Sequence, residues 1–194
     1  MRVIGGRAKR RRLKVPKGRA LRPTADRVKE ALFNILPHDL SGLKVLDLFA
    51  GTGNLSVEAL SRGAAEAVLV DASREAARAI RENLQTLDFS EKSQIWIIPV
   101  LRSLRLLSRR GETFDLVFLD PPYEKDWVRK TLKAIALQGL LREGGTLVVE
   151  HGVRERVEVD YGPLTLKDQR RYGTTLLSFF GYNQNPASKH EALK

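Results

Sequence analysis

The stretch Val45-Leu46-Asp47-Leu48-Phe49-Ala50-Gly51-Thr52-Gly53 decides how this chain of 194 residues folds. A short apolar run carries one carboxylate and then breaks into two glycines. The run fits a buried strand. The glycines fit a tight strand-to-helix turn, where backbone approaches a ligand or takes positive φ.

Downstream, apolar runs alternate with helical patterns. A helix is expected over 54–61, closed by Arg62-Gly63, then a strand over 67–70 ending at Asp71. Ser73 caps an expected helix over 74–87, with Ile80, Leu84 and Leu87 on one face. A strand over 94–98, a short helix over 101–107 and a strand over 114–119 follow. A helix over 127–138 stops at Gly139, and strands over 146–149, 153–159 and 174–180 close the sheet. The pattern predicts an α/β fold: a Rossmann-like, largely parallel, seven-stranded sheet with helices on both faces.

Upstream of the turn the chain is strongly basic. The net charge is +11, and from Met1 to Lys29 the only acid is Asp26. Such a concentration predicts a polyanion contact. Gly5, Gly6, Pro16 and Gly18 disfavour a long helix there, while Val3, Ile4, Leu13, Val15 and Leu21 suffice for a short hairpin or arm. Residues 1–22 are therefore read as a basic arm or small β-element, 23–182 as the main domain, and 183–194 as a frayed tail. Thr24 is the expected N-cap of an amphipathic helix over 25–36 carrying Val28, Leu32, Ile35 and Leu36, ended by Pro37.

With 42% hydrophobic residues the chain can build a proper core. It has no cysteine, which removes disulfides, thiolate metal sites and a cysteine nucleophile. No apolar run approaches the ~18–20 residues of a membrane span, and no apolar segment follows the basic N-terminus as in a secretory signal. A cytoplasmic, metal-free monomer is the expectation.

In open α/β sheets ligands meet the carboxyl ends of the strands. Asp71, ending the next strand, is placed to accept ribose hydroxyls. A dinucleotide site would want Gly-x-Gly-x-x-Gly, but the third position here is Ser56. An acid just before the glycines, as Asp47 is, suits the cationic methionine end of S-adenosylmethionine; it would equally serve to cap the glycine loop. Asp71 could likewise be a plain helix cap.

A second motif, Asp120-Pro121-Pro122-Tyr123, follows an apolar strand. The prolines stiffen the turn and remove its N–H donors. Rigid acceptors beside an aromatic plane are what an exocyclic base amine requires. The Asp120 carboxylate and Pro121 carbonyl would take its N–H bonds and direct its lone pair. Tyr123 would stack on the base, a contact of ~1–3 kcal/mol.

Both motifs in this order resemble a class I methyltransferase acting on exocyclic amino groups of bases. Arg22-Pro-Thr-Ala-Asp-Arg-Val-Lys-Glu-Ala-Leu-Phe-Asn-Ile-Leu36, the opening Arg2-Val-Ile-Gly-Gly-Arg7, Glu58-Ala-Leu-Ser-Arg-Gly63 and Tyr172-Gly-Thr-Thr175 resemble the bacterial ribosomal RNA guanine-N2 methyltransferases of the RsmD type. The resemblance implies methylation of one guanine N2 in small-subunit (16S) rRNA on a partly assembled 30S particle. It implies S-adenosylmethionine bound by Asp47, Phe49, Ala50, Gly51, Gly53, Asp71, Ala72, Val100, Leu101 and Asp120, and catalysis by Asp120, Pro121, Pro122 and Tyr123. RNA contacts fall to Arg7, Arg10, Arg11, Arg12, Arg22, Thr24, Arg27 and Tyr123. One departure stands out: the loop after the third strand reads Ile98-Pro99-Val100-Leu101-Arg102, without the acid usual near the adenine amine. Backbone from Val100 or Leu101 would replace it. Asp26 and Glu30 are further candidates for the near side of the pocket, and Glu58 reads as an internal salt bridge. The competing readings are a DNA amino-methyltransferase, for which the chain lacks a separate target-recognition region, and a non-catalytic RNA-binding assembly factor.

Overall fold

The computed structural model describes residues 1–15, 23–122 and 126–183, without the side chains of 23–25. The expected 16–22 part of the arm and the tail from 184 lie outside them.

The organising turn forms as read. Strand β1 (Lys44–Leu48) is buried along four of its five residues and feeds helix α2 (Asn54–Ser61). Before it stands α1 (Pro23–Ile35), which begins at Pro23, so Thr24 lies inside the helix rather than capping it. After it come β2 (Glu66–Val70), α3 (Arg74–Thr86), a short 3-10 turn, β3 (Ser93–Trp96), α4 (Val100–Arg109), β4 (Phe114–Leu119) and α5 (Trp127–Gln138). Ser73 caps α3 by accepting from the Ala76 N–H, and Gly139 closes α5 in the left-handed region.

The sheet has eight strands in the order β3-β2-β1-β4-β5-β8-β7-β6, not seven. The pairings from β3 to β5 are parallel, and β8 returns antiparallel on β5. Strand β5 (Leu141–Gly152) is far longer than 146–149, because residues 142–145 form an irregularity beside β4 and pairing resumes at Thr146. The strand expected over 153–159 does not form. The Gly152 N–H instead bonds Glu155 Oε2 at 3.1 Å, making a turn, and the sheet is completed by β6 (Asp160–Tyr161), β7 (Leu164–Tyr172) and β8 (Thr175–Tyr182).

Two cores cover the sheet. One packs α1, α2, α3 and the N-terminal residues Val3, Ala8 and Leu13; the other packs α4, α5 and the antiparallel strands. Residues 1–15 form a hairpin laid on α2 and α3. The Val3 N–H donates to Arg11 O and the Leu13 N–H to Met1 O, and Arg2 bridges Arg12. At Gly6 (φ 70°) a Cβ would lie 1.8 Å from Ser61 O, so only glycine lets the hairpin approach α2 this closely. The Arg7 N–H then bonds that same carbonyl at 2.8 Å.

Candidate active site at the carboxyl edge

The parallel register sets the site. Leu48 pairs with Val70 and Leu119, and Val70 pairs with Trp96. The residues that follow these strand ends, Phe49, Asp71, Ile97 and Asp120, therefore emerge at one level along the same edge. The strand order departs from sequence order between β1 and β4, which opens the crevice there.

The glycine turn is held from both sides. The Ala50 N–H bonds Val70 O at 3.0 Å and the Gly53 N–H bonds Ala50 O at 2.7 Å. Phe49 takes φ 62°, an outlier for an aromatic residue, and packs edge-on to Trp127 at 5.6 Å. At Gly53 (φ 74°) a Cβ would press to 3.0 Å from the Leu69 side chain. The turn is thus over-determined by its packing and presents backbone toward the edge.

Three acids surround it. Asp71 is half-buried; its Oδ2 accepts the Gly51 N–H at 2.9 Å and its Oδ1 the Ser73 N–H at 2.8 Å. It therefore ties the glycine turn to the start of α3 while the neighbouring Ala72 stays exposed. Asp47 is 2% exposed and accepts both the N–H and the hydroxyl of Ser56, at 3.2 and 2.8 Å. Asp47 thus bonds the first turn of α2 rather than the glycine loop, while Asp71 holds the glycine loop and the N-cap residue Ser73 without capping α3 itself. Asp120 is exposed, while Pro121 behind it is buried and Pro122 exposed. Tyr123 and Arg22 lie outside the described residues, as does the Thr24 side chain.

Burial pushes the Asp47 carboxyl up to about 7, with Asp120 and Asp71 adding like charge and the Ser56 bonds pulling the other way. The sign follows directly. A carboxyl with a raised folded-state value gives stability that is present at low pH and lost as pH rises from about 4 through 7. Asp47→Asn is expected to be more stable than the wild type at pH 8, by roughly 1–4 kcal/mol, and to converge with it at pH 4. Melting curves at the two pH values check this; a variant no more stable at pH 8 would overturn it.

Strand β3 ends at Trp96, so Pro99 is the N-cap of α4 and Val100 and Leu101 sit in its first turn, not in a loop. Their N–H groups belong to the helix start, where no intrahelical partner exists. Backbone donors therefore stand where the side-chain acid is missing.

Of the expected RNA residues, Arg7, Arg10, Arg11 and Arg12 are exposed on the hairpin and Arg27 on α1. Two are engaged by the protein itself. Arg7 donates to Asp88 O at 2.6 Å and lies over the Phe89 ring at 4.3 Å, and Arg11 donates to Thr86 O at 3.0 Å. Both cap the C-terminal end of α3. Arg10 and Arg12 make no side-chain hydrogen bond or ion pair to the described residues.

Sequence reasoning missed Asn83. Buried at 2% exposure, it accepts the Lys14 N–H and donates to Lys14 O and Thr52 O, tying the hairpin to the glycine turn. It also missed His151, buried on β5 with Nε2 2.8 Å from Ser178 Oγ. An Asn on an amphipathic helix and a His inside an apolar run were the available signals. Two open grooves, of about 450 Å³ beside Ser61 and Gly63 and about 510 Å³ beside Leu137 and Pro163, lie away from this edge. The described residues hold no group of three His, Cys, Asp or Glu suited to a metal. No described helix is long and apolar enough to cross a membrane.

A parallel sheet with this strand order, an antiparallel β8 and a glycine turn after β1 defines a class I methyltransferase fold. The particular family follows from comparison. YlbH of Bacillus subtilis, a candidate rRNA methyltransferase by its name, is 36% identical over 180 residues, 93% of this chain and 98% of its own length. Ribosomal RNA small subunit methyltransferase D of Escherichia coli K12 is 35% identical over 153 residues, 79% of this chain and 75% of that one. The solved structure of the Escherichia coli protein yhhF, a candidate methyltransferase by its name, superposes with TM-score 0.81 at 31% identity, covering 94% of this chain and 97% of that one. The chain belongs to the family described as Conserved hypothetical protein 95, the RsmD family of methyltransferases, whose model matches residues 1–181.

Proposed function

We propose that the chain methylates the exocyclic N2 of a guanine in small-subunit rRNA, using S-adenosylmethionine, in the cytoplasm, as a monomer acting on an assembling 30S particle. The observation that carries the reading is the convergence of Asp47, Asp71 and Asp120 on one edge of the sheet, beside a basic hairpin.

The donor set fits this cofactor. Three carboxyls would repel a pyrophosphate but suit a ligand that is cationic at one end and hydroxyl-rich at the other. On the part of α1 that Lys29 ties to Asn54, Asp26 Oδ1 is buried without a hydrogen-bond partner among the described residues, a further open acceptor. Asp71 would take ribose hydroxyls, Asp47, Phe49, Ala50, Gly51 and Gly53 would line the methionine end, and Ala72, Val100 and Leu101 the adenine. When bound, the cofactor supplies an electrophilic methyl carbon on a sulfonium.

The protein's own contribution is to hold the amine. Asp120 and the Pro121 carbonyl accept its N–H groups and point its lone pair toward the methyl donor, and Pro122 keeps the turn rigid without offering a competing donor. Tyr123 is assigned to stacking on the guanine. After transfer the nitrogen is cationic and acidic, so Asp120 or water takes its proton without a strong base.

The test is labelled methyl transfer to small subunits lacking the modification, compared with free rRNA and with DNA. Transfer to guanine N2 of the subunit supports the reading; preference for DNA, or no transfer to any of them, overturns it. The hairpin gives a second check. Arg10→Gln with Arg12→Gln should lower the salt dependence of RNA binding by about 1.5 in slope and leave the melting temperature unchanged. Arg7→Gln with Arg11→Gln should lower the melting temperature, because those two cap α3. An unchanged salt slope in the first pair would remove the hairpin from the RNA contact.

A further inference from the structure

We infer that the exposed arginine row of α4 is a second RNA-binding surface, so that the substrate straddles the carboxyl edge and is held from both faces of the sheet. The inference rests on the methyltransferase reading and extends it to substrate placement.

Helix α4 buries Val100, Ser103, Leu104 and Leu107 in the second core. Arg102, Arg105 and Arg109 are exposed. Their spacing of three and four places them in one row on the outer face, spanning ~10 Å. The helix carries no acid, and none of the three arginines joins an ion pair among the described residues. Several exposed cations elsewhere are compensated: Arg129 and Lys130 share Asp126, Lys14 meets Glu82, Arg142 meets Asp115, and Arg170 meets Asp168. Arg110, at the C-cap, is held over Trp96 and is not part of the row.

Arg102 lies in the first turn, where the helix dipole is positive and a cation is disfavoured. A solvated face gains nothing from a cation there, whereas a bound phosphate would compensate both charges. The position is also specific. Arg102 directly follows Val100 and Leu101 at the catalytic edge, and the row runs away from it on the face opposite the hairpin. The free cations Arg10 and Arg12 thus stand on one side of the edge and the α4 row on the other, with Asp120 between the two cores at the end of β4.

The test is RNA binding over a salt series with free small-subunit rRNA, using Arg105→Gln with Arg109→Gln and the triple change that adds Arg102→Gln. The pair should reduce the slope of log affinity against log salt by about 1.5 and the triple by about 2. The matching Lys substitutions should restore it. Cofactor binding and melting temperature of the pair should match the wild type, which separates a lost contact from misfolding. A wild-type slope in the triple variant, in a protein that still methylates its RNA, overturns the α4 surface and leaves the methyltransferase reading intact. Failure of the wild type to methylate small subunits lacking the modification would overturn that reading instead.

Discussion

Replacing Asp120 with alanine is expected to lower the turnover of methyl transfer by on the order of 10²–10³, the usual cost of removing one electrostatic group aimed at a reacting centre. Asp120 is the first residue beyond β4, a strand buried at five of its six positions, and its N–H reaches Leu48 O at 3.5 Å. That bond ties its backbone to the sheet, and the substitution removes the carboxylate acceptor at this position. Cofactor affinity should change little. The variant loses one anion from an acidic edge, but it also removes like charge that disfavours ionised Asp47. These effects oppose each other. A drop in turnover with near-constant cofactor affinity marks an interaction made in the transition state. Asp120→Asn should recover part of the loss, since an amide oxygen still accepts one N–H. Wild-type turnover in the alanine variant, measured on the same RNA, would remove Asp120 from the chemistry.

The edge carrying Asp120 could be read before any coordinates because it depends on local signals. The switch from a short apolar run to glycines fixes β1 and α2, and both occupy the residues expected of them. The carboxylates that directly follow β2 and β4, Asp71 and Asp120, are legible for the same reason: the end of a buried strand is where polarity returns. The far side of the sheet was only partly legible: β8 falls where a strand over 174–180 is expected, but no strand is expected at β7. Val153, Val157 and Val159 suggest a strand, but Glu155 folds the segment into a turn. The real strand, β7, exposes Lys167, Arg170 and Arg171 and shows little apolar alternation. Its place is set by pairing with β8, a tertiary fact. The hairpin of residues 1–15 was open between an ordered element and a loose arm. Its partners Glu58, Ser61 and Asn83 stand more than fifty residues away, where no local pattern points to them.

Glu58 is where that long-range dependence is concentrated, and Glu58→Ala is expected to destabilise the protein by roughly 3–5 kcal/mol. The carboxylate is fully buried on α2. Its Oε1 takes the Gly5 N–H at 2.7 Å and Arg62 Nε at 3.0 Å, and its Oε2 takes the Ile4 N–H at 2.8 Å with Lys29 Nζ 3.5 Å away. Lys29 is itself 2% exposed, and burial lowers its pKa against the pull of Glu58 and Asp26. Removing the acid leaves a buried cation facing Arg62 and strands two backbone donors, each costly without a partner. Lys29 keeps only neutral acceptors, Arg2 O and Asn54 Oδ1. For a chain of this size the melting temperature should fall by roughly 6–20 °C. Glu58→Gln should cost less than alanine, since its oxygen can still accept one amide, though its NH₂ then faces donors. The loss should also be local before it is global: amide exchange at Ile4 and Gly5 should accelerate at temperatures where the sheet remains protected. A loosened hairpin would misplace Arg10 and Arg12, so the salt slope for RNA should weaken in the same variant although no RNA contact is removed. Glu58→Ala with a near-native melting curve would show that solvent or a rearranged side chain satisfies Lys29, and would end the assignment of Glu58 as the clasp between hairpin and body.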